Sequence, residues 1–179
     1  MELITARLRI DPLRPDDAAA LFAVRGDPAV ARYQGWRPAD LAAAAAFIER
    51  QSPAAIPVGW VQRAIRRRED GRLIGDLGVN LPEDAKDSVE FGISLLPAEQ
   101  GRGYAGEALR ALFDQVFGPL GRHRIHASVD PRNLACLALL RSLGMRQEAH
   151  HRESLWLHGE WVDDMVFAML SREWAAVPR

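Results

Sequence analysis

The residues best suited to chemistry form a glycine-rich segment directly before a predicted helix. It reads Gln100-Gly101-Arg102-Gly103-Tyr104-Ala105-Gly106, and apolar residues follow at helical spacing up to position 117. Glycines let backbone N–H groups turn toward one point without a side chain in the way. The first turn of a helix adds unpaired N–H donors and a partial positive charge. The segment therefore predicts an anion cradle suited to phosphate, with Arg102 as an extra positive charge at its rim.

Two known phosphate-binding motifs must be compared with this segment. The P-loop motif GxxxxGK[ST] is absent. Gly101, Gly103 and Gly106 do satisfy the GxGxxG pattern of dinucleotide-binding folds, and Asp130 follows the next predicted strand. That pattern opens a βαβ unit of a doubly wound sheet, whereas hairpin signals flank the segment here on both sides. A dinucleotide-dependent oxidoreductase is therefore an alternative that the surrounding elements disfavour.

Strands and helices are mixed along the chain that must position this segment. Apolar periodicity predicts strands over 6–13, 59–67, 72–81, 88–96, 124–129, 151–157 and 163–170. It predicts helices over 15–24, 38–50, 103–117 and 133–143. Asp70-Gly71 between two strand-like runs indicates a hairpin. The order predicts a mixed α/β (α+β) sheet in a single domain over residues 3–174.

Composition excludes several classes of protein. Lys plus Arg is 23 and Asp plus Glu is 24, so the net charge of −1 argues against non-specific nucleic-acid binding. There is no apolar run long enough for a membrane span and no secretory signal, so no membrane partner is expected. Cys136 is the only cysteine, which excludes an intramolecular disulfide and fits a reducing, cytoplasmic setting. His150-His151 lacks a nearby carboxylate pattern, so these histidines are interpreted as loop residues and no metal is expected.

The glycine segment is similar to the Q/R-x-x-G-x-G/A signature of GNAT-type N-acetyltransferases. Other runs resemble, in order, the branch that contains the ribosomal-protein N-terminal (Rim-type) acetyltransferases. These runs are Thr5–Ile10, Asp27-Pro28, Arg32-Tyr33, Glu107–Leu109, His123–Ile125, Asp130–Asn133, Leu143–Met145 and Gly159–Asp163. The resemblance covers nearly the whole chain, and the ordered set is more specific than any single motif.

The resemblance implies a fold and a reaction. It implies a central mixed sheet of about seven strands, splayed at the cofactor site and flanked by about four helices. Acetyl-CoA would bind with its pyrophosphate at Gln100 and the amides of 101–106, and with its pantetheine arm beside strand 88–96, which includes Leu95. A primary amine, on a small molecule or a protein N-terminus, would attack the thioester directly. Tyr33 and Trp36 would border the acceptor pocket.

The reaction also needs residues that accept or donate protons at the reacting groups. Glu90 lies in an otherwise apolar strand, and the resemblance supports a base there; the alternative is a solvent-facing or arginine-paired residue. His126 lies on the face opposite its apolar neighbours and is either a second base or a surface histidine. The run 66–68 of three arginines is interpreted as a solvated face, with the 3′-phosphate or an acidic partner as alternative contacts.

Asn133 and Cys136 occupy positions with both structural and functional interpretations. Asn133 can cap the following helix, and the resemblance adds a contact with the cofactor arm. Cys136 stands where the related branch often has a serine acid, and Leu140 stands where other members have a tyrosine. A thiol could protonate the leaving CoA thiolate, but a free cysteine on a helix is also a small buried hydrophobe.

A second hypothesis comes from the absence of those two usual acids. The chain could bind acyl-CoA as a sensor or partner module without turnover. The oligomeric state is left open between a monomer and a homodimer, since an exposed C-terminal edge strand could pair two subunits.

Overall fold

The computed structural model describes residues 1–51, 58–84, 86 and 88–177, and these contain one eight-stranded sheet. The strands are β1 (Leu3–Ile4), β2 (Leu8–Pro12), β3 (Gly59–Arg67), β4 (Leu73–Leu81), β5 (Val89–Leu95), β6 (Arg124–Val129), β7 (Arg146–Leu157) and β8 (Glu160–Leu170). The helices are α1 (Ala18–Gly26), α2 (Pro28–Ala31), α3 (Leu41–Glu49), α4 (Tyr104–Phe117), α5 (Leu134–Ser142) and α6 (Ser171–Trp174). No helix in this part of the chain is long and apolar enough to cross a membrane.

The sheet has the order β1-β2-β3-β4-β5-β6-β8-β7 and one parallel junction. Strands β5 and β6 run parallel and pair at only two positions, Val89 with Ile125 and Glu90 with His126. Beyond Glu90 and His126 the two strands separate, while β4 still pairs with β5 as far as Leu95. The sheet is therefore splayed at its centre, as the family resemblance implied.

Helices cover the sheet on both faces. The buried residues of α4 recur at helical spacing, from Tyr104 to Val116, and join a core with β2, β5 and β6. On the other face, α1 and α3 form a smaller apolar cluster with β3 and β4, which includes Leu21, Val24 and Ile48. Full burial of a side chain such as Leu21 contributes about 1.5–3 kcal/mol. The two layers hold the separating strands from opposite sides.

The predicted mixed architecture is confirmed, with small differences in number. Eight strands stand where about seven were expected, and six helices where about four were expected. The additional elements are β1, α2 and α6, which have two, four and four residues. Elements this short do not complete a hydrophobic period, so periodicity cannot find them. His150 and His151 lie in β7, so their interpretation as loop residues is wrong.

Candidate active site

A cleft of about 570 Å³ opens between β5 and β6 where the strands separate. This volume is within the usual range for ligand pockets. Most of the predicted site residues line the cleft: Tyr33, Leu95, Gln100, Gly101, Gly103, Tyr104, Ala105, Gly106, Asn133 and Cys136. The other three, Glu90, Arg102 and Trp36, lie outside its lining.

The glycine segment forms one end of the cleft, which we call the glycine end (Leu95 and 100–106). Gly101 has φ +72° and Gly103 has φ +79°, a left-handed conformation that favours glycine. Gly106 lies inside α4, and a Cβ there would meet only Leu139 Cδ1 at 3.8 Å. In the described chain, the amides of 101–106 donate to no other backbone group. These N–H groups are free to bind an anion at the helix N-terminus.

Side chains of the same loop hold its shape. Gln100 Nε2 donates to the carbonyl of Leu95 at 3.0 Å, which joins the end of β5 to the glycine segment. Arg102 is exposed and its Nη1 lies 3.3 Å from Glu99 Oε2. Gln100 thus stabilises the cradle through its side chain, and Arg102 keeps a cation at the rim.

Arg7 is a residue that sequence reasoning did not assign to the site. Its Nη1 donates to the carbonyl of Arg102 at 3.0 Å, and its guanidinium lies 4.6 Å from the Tyr104 ring centroid. Its Nε donates to Glu107 at 2.6 Å, and Thr5 Oγ1 donates to the same carboxylate at 2.5 Å. Burial raises the pKa of Glu107, but these hydrogen bonds outweigh it and hold the pKa below its usual value. Arg7 thereby connects the residues directly before β2 to the first turn of α4.

The start of α5 forms a second wall. Asn133 Oδ1 accepts from the Cys136 amide at 3.1 Å, so the predicted helix-cap role is confirmed. Burial raises the pKa of the Cys136 thiol to about 11. The thiol therefore stays protonated at neutral pH, and it is a weaker acid than a thiol with the ordinary pKa of 9.0.

The segment around α2 forms another wall of the cleft. Tyr33 Oη donates to the Arg132 carbonyl at 3.1 Å, which connects α2 to the loop after β6. Gln34 also lines the cleft and accepts from Arg25 Nη1 at 2.8 Å. Trp36 instead stacks on Phe47 of α3, with ring centroids 4.2 Å apart. The predicted pair of aromatic residues is thus divided between the cleft and the helix behind it.

Ser94 is a buried polar residue in the cleft that the sequence did not single out. It is 5% exposed, and its Oγ has no hydrogen-bond partner in the described chain. An unsatisfied buried hydroxyl costs free energy unless a ligand pairs with it. Only the tertiary structure shows this, because a lone serine in a strand carries no sequence signal.

Glu90 and His126 meet at the narrow point where β5 and β6 part, which we call the apex. Their facing atoms, His126 Nε2 and Glu90 Oε2, are 4.0 Å apart. The His126 side chain is 26% exposed and the Glu90 side chain is 30% exposed, so both can contact solvent. The Nδ1 atom of His126 is buried and has no partner in the described chain.

The arginine run beside the β3–β4 turn has a structural role. Arg66 is buried and donates to Asp11 and to both oxygens of Asp17 at 2.7 Å. Burial raises the pKa of Asp17, but the bonds from Arg66 outweigh it and lower that pKa below its usual value. Arg67 pairs with Asp70 at 2.6 Å. The interpretation of this run as a solvated face is therefore wrong for Arg66.

No group of three or more potential metal-ligating side chains occurs in the described residues. The cleft instead offers free amides at a helix N-terminus and an unpaired hydroxyl, and a carboxylate beside an imidazole lies at its narrow end, where β5 and β6 last pair. These groups can hold an anion and an amide-bearing chain, and they can accept a proton.

The comparisons with known proteins agree with this description. Residues 7–146 match the acetyltransferase (GNAT) domain family. The N-acetyltransferase p20 of Bacillus licheniformis is 30% identical over 174 residues, which are 97% of this chain and 98% of that protein. The chain therefore belongs to the GNAT acetyltransferase family, and the family predicted from the sequence is confirmed.

A solved structure and two relatives that match over shorter segments complete the comparison. An acetyltransferase (GNAT family) from Bacillus anthracis has a TM-score of 0.87 at 22% identity, covering 97% of this chain and all of that one. The ribosomal protein uS5-alanine N-acetyltransferase of Escherichia coli K12 is 31% identical over 47% of this chain and 43% of its own length. The spermidine N(1)-acetyltransferase of Vibrio cholerae is 30% identical over 42% of this chain and 44% of its own length.

Proposed function

We propose that this chain transfers an acetyl group from acetyl-CoA directly to a primary amine, as an N-acetyltransferase acting through residues 3–174. One observation carries the proposal: unpaired amides of a helix N-terminus face a cleft that opens between two separating parallel strands. Family membership supplies the reaction class. A cytoplasmic setting and a monomeric or homodimeric state belong to the same proposal.

The residues present fit a CoA thioester. The amides of 101–106 would receive the pyrophosphate, since helix N-termini favour anions. The backbone of β5 from Gly92 to Leu95 would lie beside the pantetheine arm, where the orphan hydroxyl of Ser94 needs a partner. Asn133 lines the same channel while it caps α5. The bound group supplies an activated acyl carbon, and the remaining steps fall to this chain's own residues.

The acceptor would enter the cleft past Tyr33 and reach Glu90 at the apex. Glu90 takes one proton from the acceptor ammonium so that the neutral amine can attack, because it is the carboxylate nearest the point where the strands part. Trp36 shapes this wall from behind through its stack on Phe47. For the leaving thiolate we propose protonation by solvent, since a Cys136 thiol with a pKa of about 11 gives up its proton reluctantly. Cys136 is thereby interpreted chiefly as a buried packing residue.

Cofactor binding is tested first, by thermal unfolding with acetyl-CoA and with NADH at equal concentration. A ligand at about 100 times its Kd adds roughly 2.7 kcal/mol and raises Tm by several degrees. We expect a shift with acetyl-CoA alone. A shift with NADH alone would instead favour a dinucleotide enzyme and contradict the proposal.

Turnover is tested by thiol release across a panel of amines. The panel contains spermidine and related polyamines on one side and peptides with free Ala or Ser N-termini on the other, because relatives of both kinds exist. We expect acceptor-dependent release of CoA. Acetyl-CoA binding with no release for any amine would favour the sensor hypothesis over catalysis.

A further inference from the structure

The apex contains a second polar residue that the proposed reaction does not yet use. His126 is the register partner of Glu90, and this pair is the last one that β5 and β6 form before they separate. Any molecule held between the strands at this end therefore has Glu90 and His126 as its polar neighbours.

Both side chains lie on a face of the sheet whose other residues line the cleft. Glu90 shares its face with Gly92 and Ser94, two and four residues along, and His126 shares its face with Ser128. Gly92, Ser94 and Ser128 all line the cleft. A two-residue step along a strand is about 6.6 Å, so the Glu90–His126 pair borders the narrow end of the cleft.

The neighbouring charged residues on β6, β7 and β8 make ion pairs or hydrogen bonds with groups other than Glu90 and His126. Arg124, two residues before His126, pairs with Glu148 at 2.6 Å. Asp164 of β8 accepts from Ser128 Oγ at 2.5 Å. On β7, Arg146 is also held, by Glu148 at 2.6 Å. Among the described residues, the only ion-pair contact of Glu90 is with His126, at 4.0 Å.

The two nitrogens of His126 have different surroundings. Nδ1 is buried without a partner, whereas Nε2 faces the Glu90 carboxylate. An ionised carboxylate only accepts hydrogen bonds, so a favourable contact requires the proton of a neutral imidazole to be on Nε2. At 4.0 Å the contact needs a small side-chain rotation or one bridging water to become a hydrogen bond.

We infer that His126 is a positioning residue for Glu90. Its Nε2–H orients the carboxylate so that one oxygen faces the entering amine; this rests on the proposed function. In the step itself, one N–H bond of the acceptor ammonium breaks and one O–H bond forms on Glu90. The freed nitrogen electron pair then attacks the thioester carbon, so that a C–N bond forms, the C–S bond breaks and the CoA thiolate leaves. The second proton lost by the nitrogen goes to solvent, which also protonates the thiolate. His126 keeps its own proton, and Glu90 later returns its proton to solvent.

Two substitutions separate positioning from proton transfer. His126→Gln keeps an N–H donor of similar reach but cannot carry a proton, while His126→Leu keeps the bulk and removes the donor. With the best acceptor, we expect His126→Leu to lower kcat about tenfold. We expect His126→Gln to stay within about twofold of the wild type, with an unchanged pH–rate profile. The acetyl-CoA thermal shift reports that each variant is folded and binds.

Matched controls make the result specific. His123→Leu removes an exposed histidine three residues away, outside the cleft, and should leave kcat unchanged. The double variant Glu90→Gln/His126→Leu should be no slower than Glu90→Gln alone, because the two residues act through one carboxylate.

Several outcomes would overturn the inference. Wild-type kcat in His126→Leu would show that His126 does not position Glu90. Equal losses in His126→Leu and His126→Gln would instead make His126 a proton carrier. If the wild type acetylates no amine, the proposed function fails first. An activity-independent readout then remains: nitrogen NMR should show His126 protonated on Nε2, with a signal that moves in Glu90→Gln, and an Nδ1 proton would contradict the inference.

Discussion

The glycine end and the apex of the cleft are built in different ways. At the glycine end, the groups that face the cleft are backbone amides, and two left-handed glycines set their direction. At the apex, the groups are the side chains of Glu90 on β5 and His126 on β6. One end is therefore made by a short local sequence and the other by contacts between distant parts of the chain.

The cleft wall formed by the segment around α2 also depends on the β7–β8 hairpin. His158 Nε2 lies 3.0 Å from the carbonyl of Ala31, and Glu160 accepts from Arg132 at 2.8 Å. Arg132 in turn offers its carbonyl to Tyr33. Three segments must dock before this wall exists, so substitutions there should affect acceptor chemistry more than cofactor binding.

The largest expected effect comes from the buried ion pair between Arg25 of α1 and Asp76 of β4. Arg25→Met leaves Asp76, which is 0% exposed, without its arginine partner, and loss of one member of such a pair costs about 3–5 kcal/mol. At the glycine end, Arg7→Met removes an ion pair whose arginine side chain is 49% exposed, which is worth about 0–1 kcal/mol. Urea denaturation measures both losses. Equal losses would contradict the distinction between the buried pair and the exposed pair.

Next in size is the effect of Glu90→Gln at the apex. Removal of the proposed base should lower kcat about a hundredfold, the usual contribution of a positioned acid–base group. The acetyl-CoA thermal shift should stay at the wild-type value, because Glu90 lies outside the glycine end. A variant with the wild-type rate and pH–rate profile would remove Glu90 from the mechanism.

This difference between the ends also explains what the sequence could predict. Residues 100–106 carry their geometry in their own spacing, so the cradle was found from seven consecutive residues. Glu90 and His126 were recognised only as separate candidates, because their pairing depends on the register between two strands. Ser94 and Arg7 could not be found, since one is defined by burial and the other by a contact made 95 residues along the chain.

In the fold as well, local features were predicted and features that depend on tertiary contacts were missed. All strands and helices with a full hydrophobic period were predicted, within about three residues at each end except for β7, which begins at Arg146 instead of 151. The burial of Arg66 was missed because three adjacent arginines indicate a solvated face, and only tertiary structure brings Asp11 and Asp17 to it. Trp36 was grouped with Tyr33 by proximity in sequence, whereas its ring packs on Phe47.

A smaller effect tests the glycine end. Gly103→Ala places a side chain at φ +79°, next to Arg7, and should weaken acetyl-CoA binding about tenfold because the amides turn away from the anion. Gly121→Ala introduces similar strain at φ +58° in open space, far from the cleft. Both variants should lose about 1–2 kcal/mol of stability, but only Gly103→Ala should lose affinity in calorimetric titration. Equal affinities would mean that the cradle does not bind the pyrophosphate.

The smallest catalytic effect is expected at Cys136, between the two ends. Cys136→Ser and Cys136→Ala should both keep kcat within about twofold, since solvent protonates the leaving thiolate in our proposal. Retention in the serine variant with a large loss in the alanine variant would instead make the thiol the acid.

Alkaline stability gives Cys136 an independent test. Burial raises the thiol pKa from 9.0 to about 11 in the folded chain, so between these values the unfolded chain loses a proton that the native chain keeps. The native state then binds more protons than the unfolded state, and stability falls as pH rises from about 9 toward 11. Cys136→Ala lacks this contribution. Urea unfolding at pH 8 and pH 10.5 should therefore show a larger loss in the wild type than in the variant, and parallel losses would place the thiol in contact with water.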